Sequence, residues 1–245
     1  FKGEQELFEP ASYLPRNFTT INYQGVFSNG NFMQALFNSA WVSAAVVLLS
    51  LVVGAFAAYA LGRLQFRGRT AMMYIVLAMT MFPQISILSG LFTTVREIGV
   101  YGSPLSLILT YPIFTLPFTV WVLTSFFKGL PDEIEQAALV DGATGFQTFY
   151  MIMLPLTAPA LVTTGLLAFI AAWNEYLYAL TFTLTNRAAQ TVPVAIAQFN
   201  GMVARQEPIA EVMAAAMVVT LPLIVLVVVF QKRIVAGLTA GAVKG

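Results

Sequence analysis

The sequence has no cysteine and no histidine among its 245 residues. Disulfide bonds, thiol nucleophiles and thiolate or imidazole metal ligands are therefore excluded, and so is the most common general base of enzymes. Cysteine usage consequently says nothing about the redox compartment. We expect no catalytic residues and no metal site on this chain.

Charged residues are also scarce. They make up 9% of the chain, whereas 58% of the residues are hydrophobic, and a soluble domain carries about 25% charged residues. Several apolar runs reach the roughly 20 residues that a helix needs to cross a bilayer. The runs are continuous, whereas a transmembrane barrel alternates apolar and polar residues in ~10-residue segments. The composition predicts an all-α protein that crosses the membrane several times.

A phosphate-binding loop for ATP is missing as well. Such a loop requires Gly, four residues, Gly-Lys, and then Ser or Thr. The nearest imitation runs from Gly62 to Gly68-Arg69-Thr70, where the spacing is wrong and the lysine is absent. We therefore expect no enzyme activity and no cofactor on this chain, and any ATP hydrolysis would belong to a separate subunit.

Five membrane spans are predicted from the apolar runs, at 35–61, 71–95, 104–127, 156–182 and 210–231. Pro83 breaks the second span, and Pro112 and Pro117 are expected to kink the third, because proline removes a backbone hydrogen bond. In the first span, small residues recur every four positions at Gly54, Ala58 and Gly62. This spacing favours a close approach between helices.

Orientation follows from the basic residues, which favour the cytoplasmic side. The short loop after the first span holds Arg63, Arg67 and Arg69, so we place this loop on the cytoplasmic side of a cytoplasmic (inner) membrane. Five spans then start outside, which predicts one further span upstream of Phe1. The expected parts are an external segment 1–34, a transmembrane domain 35–231 with a cytoplasmic loop 128–155 and an external loop 183–209, and a cytoplasmic tail 232–245.

The loop 128–155 contains the run EQAALVDGATGFQTFYMIMLP. Three acids after Pro131 complement the positive end of a helix dipole, and Gly142 offers a bend that other residues avoid. The pattern predicts two short helices that end at Leu154-Pro155. In the second, four residues at helical spacing share one face: Phe146, Phe149, Tyr150 and Met153.

Two interpretations of this loop can be distinguished. An amphipathic helix on the lipid headgroups would carry basic residues, but no lysine or arginine occurs between Lys128 and Arg187. Anionic lipid would repel the acidic loop. The residues therefore favour docking into a groove of a partner protein, read by anchors at helical spacing.

The same loop resembles the cytoplasmic signature of permease subunits in binding-protein-dependent ABC importers. That pattern is Glu-Ala-Ala, three residues, Gly, nine residues, Ile, one residue, and Leu-Pro. It falls here on Gln136-Ala137-Ala138, Gly142, Ile152 and Leu154-Pro155 with every interval correct. Gln136 departs from the usual Glu, and Glu135 beside it offers a charge.

This resemblance implies that the loop is a coupling helix that docks in a cleft of the ATPase subunit. The residues implied in ATPase coupling are Glu135, Gln136, Ala137, Ala138, Asp141, Gly142, Phe146, Phe149 and Tyr150.

Other segments are similar to carbohydrate-uptake permeases, above all to the second permease subunit of maltose- and trehalose-type importers. They are Leu14-Pro15 to Asn22-Tyr23, Asn38-Ser39, Trp173-Asn174-Glu175-Tyr176 and Phe230 to Gly245. The resemblance implies a type I ABC importer transmembrane fold with six spans, and a tail that reaches the ATPases through Gly241, Val243 and Lys244. It also implies two ATPases that hold ATP and Mg, a second permease and an external sugar-binding protein.

Glu175 is an acid well inside the predicted fourth span. A charge at the bilayer centre costs roughly 2.5–3.5 kcal/mol, so it should face the bundle or a wet cavity. Asn174, Glu175 and Tyr176 are candidates for the sugar pathway, and a structural hydrogen bond is the alternative. A proton- or ion-coupled transporter or channel is the rival function, since such proteins also carry intramembrane acids.

Overall fold

The computed structural model describes residues 1–3, 6, 14–199 and 209–242, with side chains in the last helix as far as Gln231. This part of the chain is helical and contains no strand. The helices are α1 Ile21–Ser28, α2 Gly30–Arg63, α3 Arg69–Thr80, α4 Gln84–Glu97, α5 Pro104–Thr110, α6 Pro112–Gly129, α7 Asp132–Val140, α8 Gly145–Leu156, α9 Ala158–Trp173, α10 Leu177–Thr183, α11 Val192–Ala197 and α12 Ile209–Ala242.

Three stretches in the described residues are long and apolar enough to cross a membrane: α2, the pair α5–α6, and Ile209–Gln231 of α12. Two further pairs pass the same test together but are sharply bent, α3 with α4 at 94° and α8 with α9 at 73°, as in a broken span or a re-entrant loop. The spans number five if each bent pair counts as one. The break predicted at Pro83 is confirmed, since this residue lies between α3 and α4 in extended conformation.

The predicted fourth span, 156–182, is wrong as a continuous helix. The helix α9 ends at Trp173, and α10 begins at Leu177. Glu175 lies in the break, where its carboxylate accepts hydrogen bonds from the backbone amides of Tyr178 (2.8 Å) and Ala179 (3.0 Å). A carboxylate that binds the first amides of a helix favours a new helix start at this point.

Helix α2 packs closely against α6, as the small residues predicted. A side chain at Gly54 would place its Cβ 2.7 Å from Thr119 Cγ2, and one at Gly62 would lie 2.9 Å from Phe127 Cβ. Ser50 and Thr115 share a hydrogen bond of 2.7 Å between their hydroxyls. The close approach makes α2 and α6 one packed pair along most of their length.

Two ends of the predicted spans shift in the structure. Helix α2 begins at Gly30, where Asn29 accepts a hydrogen bond from the amide of Phe32, so the first helix starts before position 35. Helix α12 runs on to Ala242, past the predicted end at position 231.

The loop predicted at 183–209 is structured over its described part. The helix α11 and the turn Arg187–Ala189 pack back onto α2, where Asn38 donates to the carbonyl of Ala188. Val192 is fully buried in a cluster with Val26 and Phe32. Part of this loop is therefore core rather than a solvated connector.

Candidate functional site

The segment between α6 and α9 contains the predicted coupling residues. Asp132, Glu133 and Glu135 lie in the first turn of α7, after Pro131. The helix ends at Val140 and is capped by Asp141, and Gly142 has a φ of +83°. This backbone angle is in the left-handed region that favours glycine, so the predicted bend at Gly142 is confirmed.

Helix α8 begins with a capping box. The Thr144 hydroxyl accepts from the amide of Gln147 (3.3 Å), and the Gln147 side chain accepts from the amide of Thr144 (2.8 Å). These reciprocal bonds satisfy two amides that a helix start leaves open. The cap fixes where the second helix of the segment begins, three residues after the bend.

The middle of α8 is a π-helical turn at Thr148–Met153. The prediction of one shared aromatic face is wrong here. Phe149 and Met153 are buried, whereas Phe146 and Tyr150 are exposed and stack on each other at 6.5 Å. In a π turn the backbone hydrogen bonds run from i to i+5, so the side chains no longer follow α-helical spacing. Two of the four side chains lie in the core and two lie outside it.

Phe149 connects α8 to the spans behind it. Its ring lies 4.9 Å from that of Phe56, 5.0 Å from that of Tyr59 and 6.4 Å from that of Phe127. Helix α8 then runs to Leu156 rather than ending at Leu154-Pro155, and Thr157 separates it from α9. The second half of the segment is therefore held by apolar packing on α2 and α6.

Four other apolar side chains of the segment are largely exposed, although the ring of Phe146 also stacks on Phe56 of α2 at 6.5 Å. We call Leu139, Val140, Phe146 and Tyr150 the exposed apolar set, and Val140 reaches 87% exposure. Among the remaining predicted coupling residues, Gln136, Ala137 and Asp141 are exposed and Ala138 is buried. The exposed apolar set is a candidate interaction surface.

Glu135 is bound within the chain. Its carboxylate accepts from the Tyr59 hydroxyl (2.8 Å) and from Arg63 Nε (2.9 Å). Glu135 was the expected substitute for the glutamate that the family pattern has at position 136. Its carboxylate is bound by two residues at the end of α2. Sequence reasoning missed both of these partners.

Arg63 binds the start of α7 through its whole guanidinium, although its side chain is only 4% exposed. Nη1 donates to the carbonyl of Leu130 (3.1 Å) and to Asp132 Oδ1 (2.7 Å), and Nη2 donates to the carbonyl of Pro131 (3.2 Å). In the sequence this arginine counted only as an orientation signal. The available signal was an arginine at the end of the first span and three acids just after the third span, which could have been predicted to form ion pairs.

The predicted pathway residues lie at the break between α9 and α10. Glu175 is 8% exposed, and the helix start that it caps is the structural hydrogen bond considered as the alternative. Asn174 is exposed and donates to the carbonyl of Ile170 (2.8 Å), and Tyr176 is exposed. A contact of these three residues with a solute stays a prediction.

A cavity of about 580 Å³ lies between α3, α4 and α6. Its walls are mostly apolar and aromatic, with Thr80 and Gln84 as polar groups. The hydroxyl of Tyr178 donates to the carbonyl of Gln84 (3.1 Å), which ties α10 to the cavity wall. Of the predicted tail residues, Gly241 lies in α12 beyond the described side chains, and Val243 and Lys244 lie outside the described residues.

Residues 50–239 match the family of binding-protein-dependent transport system inner membrane components. The chain belongs to this family. The resemblance to permease subunits of binding-protein-dependent importers is thereby confirmed. This membership makes the protein a multi-pass permease subunit of an ABC importer, with ATP hydrolysis on a separate subunit, and favours that function over an ion-coupled transporter.

Curated relatives cover nearly the whole chain. The trehalose transport system permease protein SugB of Mycobacterium tuberculosis is 46% identical over 95% of this chain and 84% of its own length. The trehalose/maltose transport system permease protein MalG of Thermococcus litoralis is 44% identical over 99% of this chain and 87% of its own length.

Solved structures share the fold. A bacterial ABC transporter that imports the acidic polysaccharide alginate matches with a TM-score of 0.73 and 23% identity, over 92% of this chain and 84% of that chain. The methionine ABC transporter MetNI, in inward-facing conformations, matches with a TM-score of 0.62 and 14% identity, over 90% of this chain and 99% of that chain. The architecture is that of the type I ABC importer transmembrane fold, as the sequence predicted.

Proposed function

We propose that the chain forms one half of a translocation pathway for a sugar, most simply a di- or oligosaccharide. The relatives at 46% and 44% identity are named for trehalose and for trehalose or maltose. A third, of Agrobacterium fabrum, is 38% identical over the whole chain and is named for sulfoquinovosyl glycerol. The shared chemistry of these solutes is a glycosidic or polyhydroxyl surface.

The proposed assembly contains a second, different permease, two ATPase subunits and an external sugar-binding protein. ATP and Mg would bind to the ATPases. The segment 128–155 and the C-terminus would lie in the cytoplasm, and the segments 1–34 and 183–209 would lie outside. Asn174, Glu175 and Tyr176 would contribute to the pathway, and the tail residues Gly241, Val243 and Lys244 would reach the ATPases.

The observation that carries the coupling role is the exposed apolar set on an acidic segment. Leu139 and Val140 precede the Gly142 turn, and Phe146 and Tyr150 follow it. Burying apolar side chains releases about 25 cal/mol per Å², and the lack of basic residues argues against a lipid surface. A groove of an ATPase subunit fits this chemistry.

Closure of the two ATPases would then move α7 and α8 as a lever. Because Phe149 and Met153 pack on α2 and α6, a displacement of α8 would be transmitted directly to these two spans. The sharp bends at Pro83 and Thr157 give the bundle positions where helices can change angle. Alternating access follows without any chemical change in the sugar.

The composition of the assembly is tested by gentle purification of the tagged full-length protein from its native membranes, with native mass spectrometry. We expect one different permease and two ATPases with each copy, and a sugar that binds the associated receptor. Recovery of the protein alone, or as a homo-oligomer, under conditions that keep known importers intact would contradict the proposal.

A further inference from the structure

Helix α7 has little apolar attachment to the rest of the protein. Ala138 is its one buried residue, and Ile134 is packed partly against the inner cluster of α2, α6 and α8. Helix α8, in contrast, buries Phe149 and Met153. Something other than apolar packing must therefore fix α7, which carries Leu139 and Val140 of the exposed apolar set.

The polar contacts of α7 converge on the end of α2. Both carboxylate oxygens of Glu135 are bound there, one by Tyr59 and one by Arg63, and Asp132 and two carbonyls bind the same guanidinium. We infer that Arg63, with Glu135 and Tyr59, is a positioning joint that passes the movement of the docked coupling segment to α2. This inference rests on the proposed docking of α7 and α8 to an ATPase.

Arginine suits this joint because its donors form a rigid planar fork. Nε, Nη1 and Nη2 of Arg63 donate to four acceptors in the six residues from Leu130 to Glu135. A lysine ammonium is a single point with three donors on a flexible stem, so it could not hold both the carboxylate and the two carbonyls in one geometry. Arg63 also lies in the last turn of α2, where a positive charge is favoured.

The end of α2 is itself rigid, so movement at Arg63 reaches the bundle. Arg69 donates from Nε to the carbonyl of Leu61 and from Nη2 to that of Gly62, each at 2.7 Å. Gly62 lies against Phe127 and the carbonyl of Thr124 on α6. A force on the guanidinium of Arg63 is therefore opposed by α6 and by the loop that begins α3.

The joint is tested in proteoliposomes that contain the whole importer and its binding protein. Arg63→Gln and Glu135→Gln remove the ion pair with near-isosteric or shorter neutral groups. Glu133→Gln is the matched control, because it removes the same charge from an exposed position of the same helix. Three quantities are measured: ATPase subunits retained, ATP hydrolysis, and solute taken up per ATP.

We expect Arg63→Gln to retain both ATPases and to keep hydrolysing ATP, while uptake per ATP falls about tenfold, which is within the usual range for coupling between two sites. Glu135→Gln should behave alike, and the double variant should be no worse than Arg63→Gln, because the two residues act as one unit. Arg63→Lys should recover only part of the uptake. Glu133→Gln should match the unmodified protein.

Unchanged uptake per ATP in Arg63→Gln would overturn the joint, and so would loss of the ATPases from that variant, which would assign Arg63 to folding or docking. Additive losses in the double variant would overturn it as well. Failure of the proposed function looks different: the unmodified protein would then retain no ATPase. Val140→Asp, which places a charge in the exposed apolar set, should release the ATPases while leaving Arg63 in place.

Discussion

The two ends of α2 are each tied to a distant part of the chain, but by different chemistry. At the C-terminal end of α2, which we call the arginine end, Arg63 forms ion pairs with Glu135 and Asp132. In the N-terminal third of α2, at Asn38 and Ser39, which we call the amide end, neutral groups make the connecting hydrogen bonds. Asn38 Nδ2 donates to the carbonyls of Ala188 (2.8 Å) and Gln190 (2.9 Å), and Ser39 Oγ accepts from the amide of Val192 (2.8 Å).

This difference in chemistry indicates that the amide end of α2 stabilises the fold and that the arginine end transmits movement. The bonds of the amide end are buried and short-ranged, so removing one partner leaves a buried group unsatisfied. The bonds of the arginine end reach solvent through Asp132, which is 80% exposed, and they hold the start of α7, the helix that carries Leu139 and Val140. We therefore expect stability defects from one end and coupling defects from the other.

The largest effect is expected from the turn between α7 and α8, the two helices of the proposed coupling segment. Gly142→Val puts a β-branched residue at φ +83°, a strain on the order of 1–3 kcal/mol, and should abolish most uptake while the protein still inserts. Gly145→Val is the control, because Gly145 has an ordinary negative φ and open space around it. Equal uptake by both variants would refute the role of the turn.

Next in size is the amide end. Ser39→Ala removes the acceptor of the buried amide of Val192 and should cost about 1–3 kcal/mol of unfolding free energy. This corresponds to about 2–4 °C in Tm for each kcal/mol in a chain of this length. Uptake per ATP should stay unchanged.

Ser43→Ala is the matched control on the same helix, since Ser43 Oγ is buried and has no hydrogen-bond partner among the described residues. Its thermal unfolding should match that of the unmodified complex. A Ser39→Ala variant that unfolds normally but is uncoupled would reverse the assignment of the two ends.

Glu175 brings a carboxylate to the cluster that surrounds the amide half of α2, where Tyr178 packs with Val42 and Val46. Glu175→Gln keeps one acceptor for the amides of Tyr178 and Ala179 but turns a donor toward the other. We expect uptake to fall while assembly is intact, measured by transport and by co-purification. Unchanged uptake would remove Glu175 from the pathway.

The smallest effect is expected at the exposed side of the arginine end. An exposed ion pair contributes about 0–1 kcal/mol and is screened by salt. Asp132→Asn should therefore change unfolding and uptake little, whereas Glu135→Gln should uncouple. If Asp132→Asn uncouples as strongly as Glu135→Gln, the exposed pair rather than the buried one forms the joint.

Much of the fold follows from features that are local in the sequence. Pro83 predicts the break, Gly142 the bend, and the small residues at Gly54 and Gly62 a close helix contact, because each acts through its own backbone or size; that the partner is α6 came only from the structure. The loop spacing around Gln136-Ala137-Ala138 predicts the family by itself, because it is a pattern within one short segment.

What failed depends on contacts between distant residues. Hydropathy predicts 156–182 as one continuous span, because the hydrogen bonds by which Glu175 caps α10 do not change the hydropathy of the segment. Helical periodicity put Phe146 and Phe149 on one face, because the π turn and the packing on Phe56 are tertiary. The pairing of Arg63 with Glu135 spans 72 positions and was not visible in either segment alone.

The central claim is that α2 and the coupling segment move as one body. Labels on Asn31→Cys at the start of α2 and Glu133→Cys on α7 would be about 50 Å apart, at 1.5 Å per helical residue, and the chain has no cysteine that would compete for labelling. Pulsed electron paramagnetic resonance can follow this distance in the assembled importer. We predict the same distance with and without bound ATP, and a broadened distribution in Arg63→Gln. A shift of more than about 5 Å, one helical turn, in the protein with Arg63 intact would contradict the account.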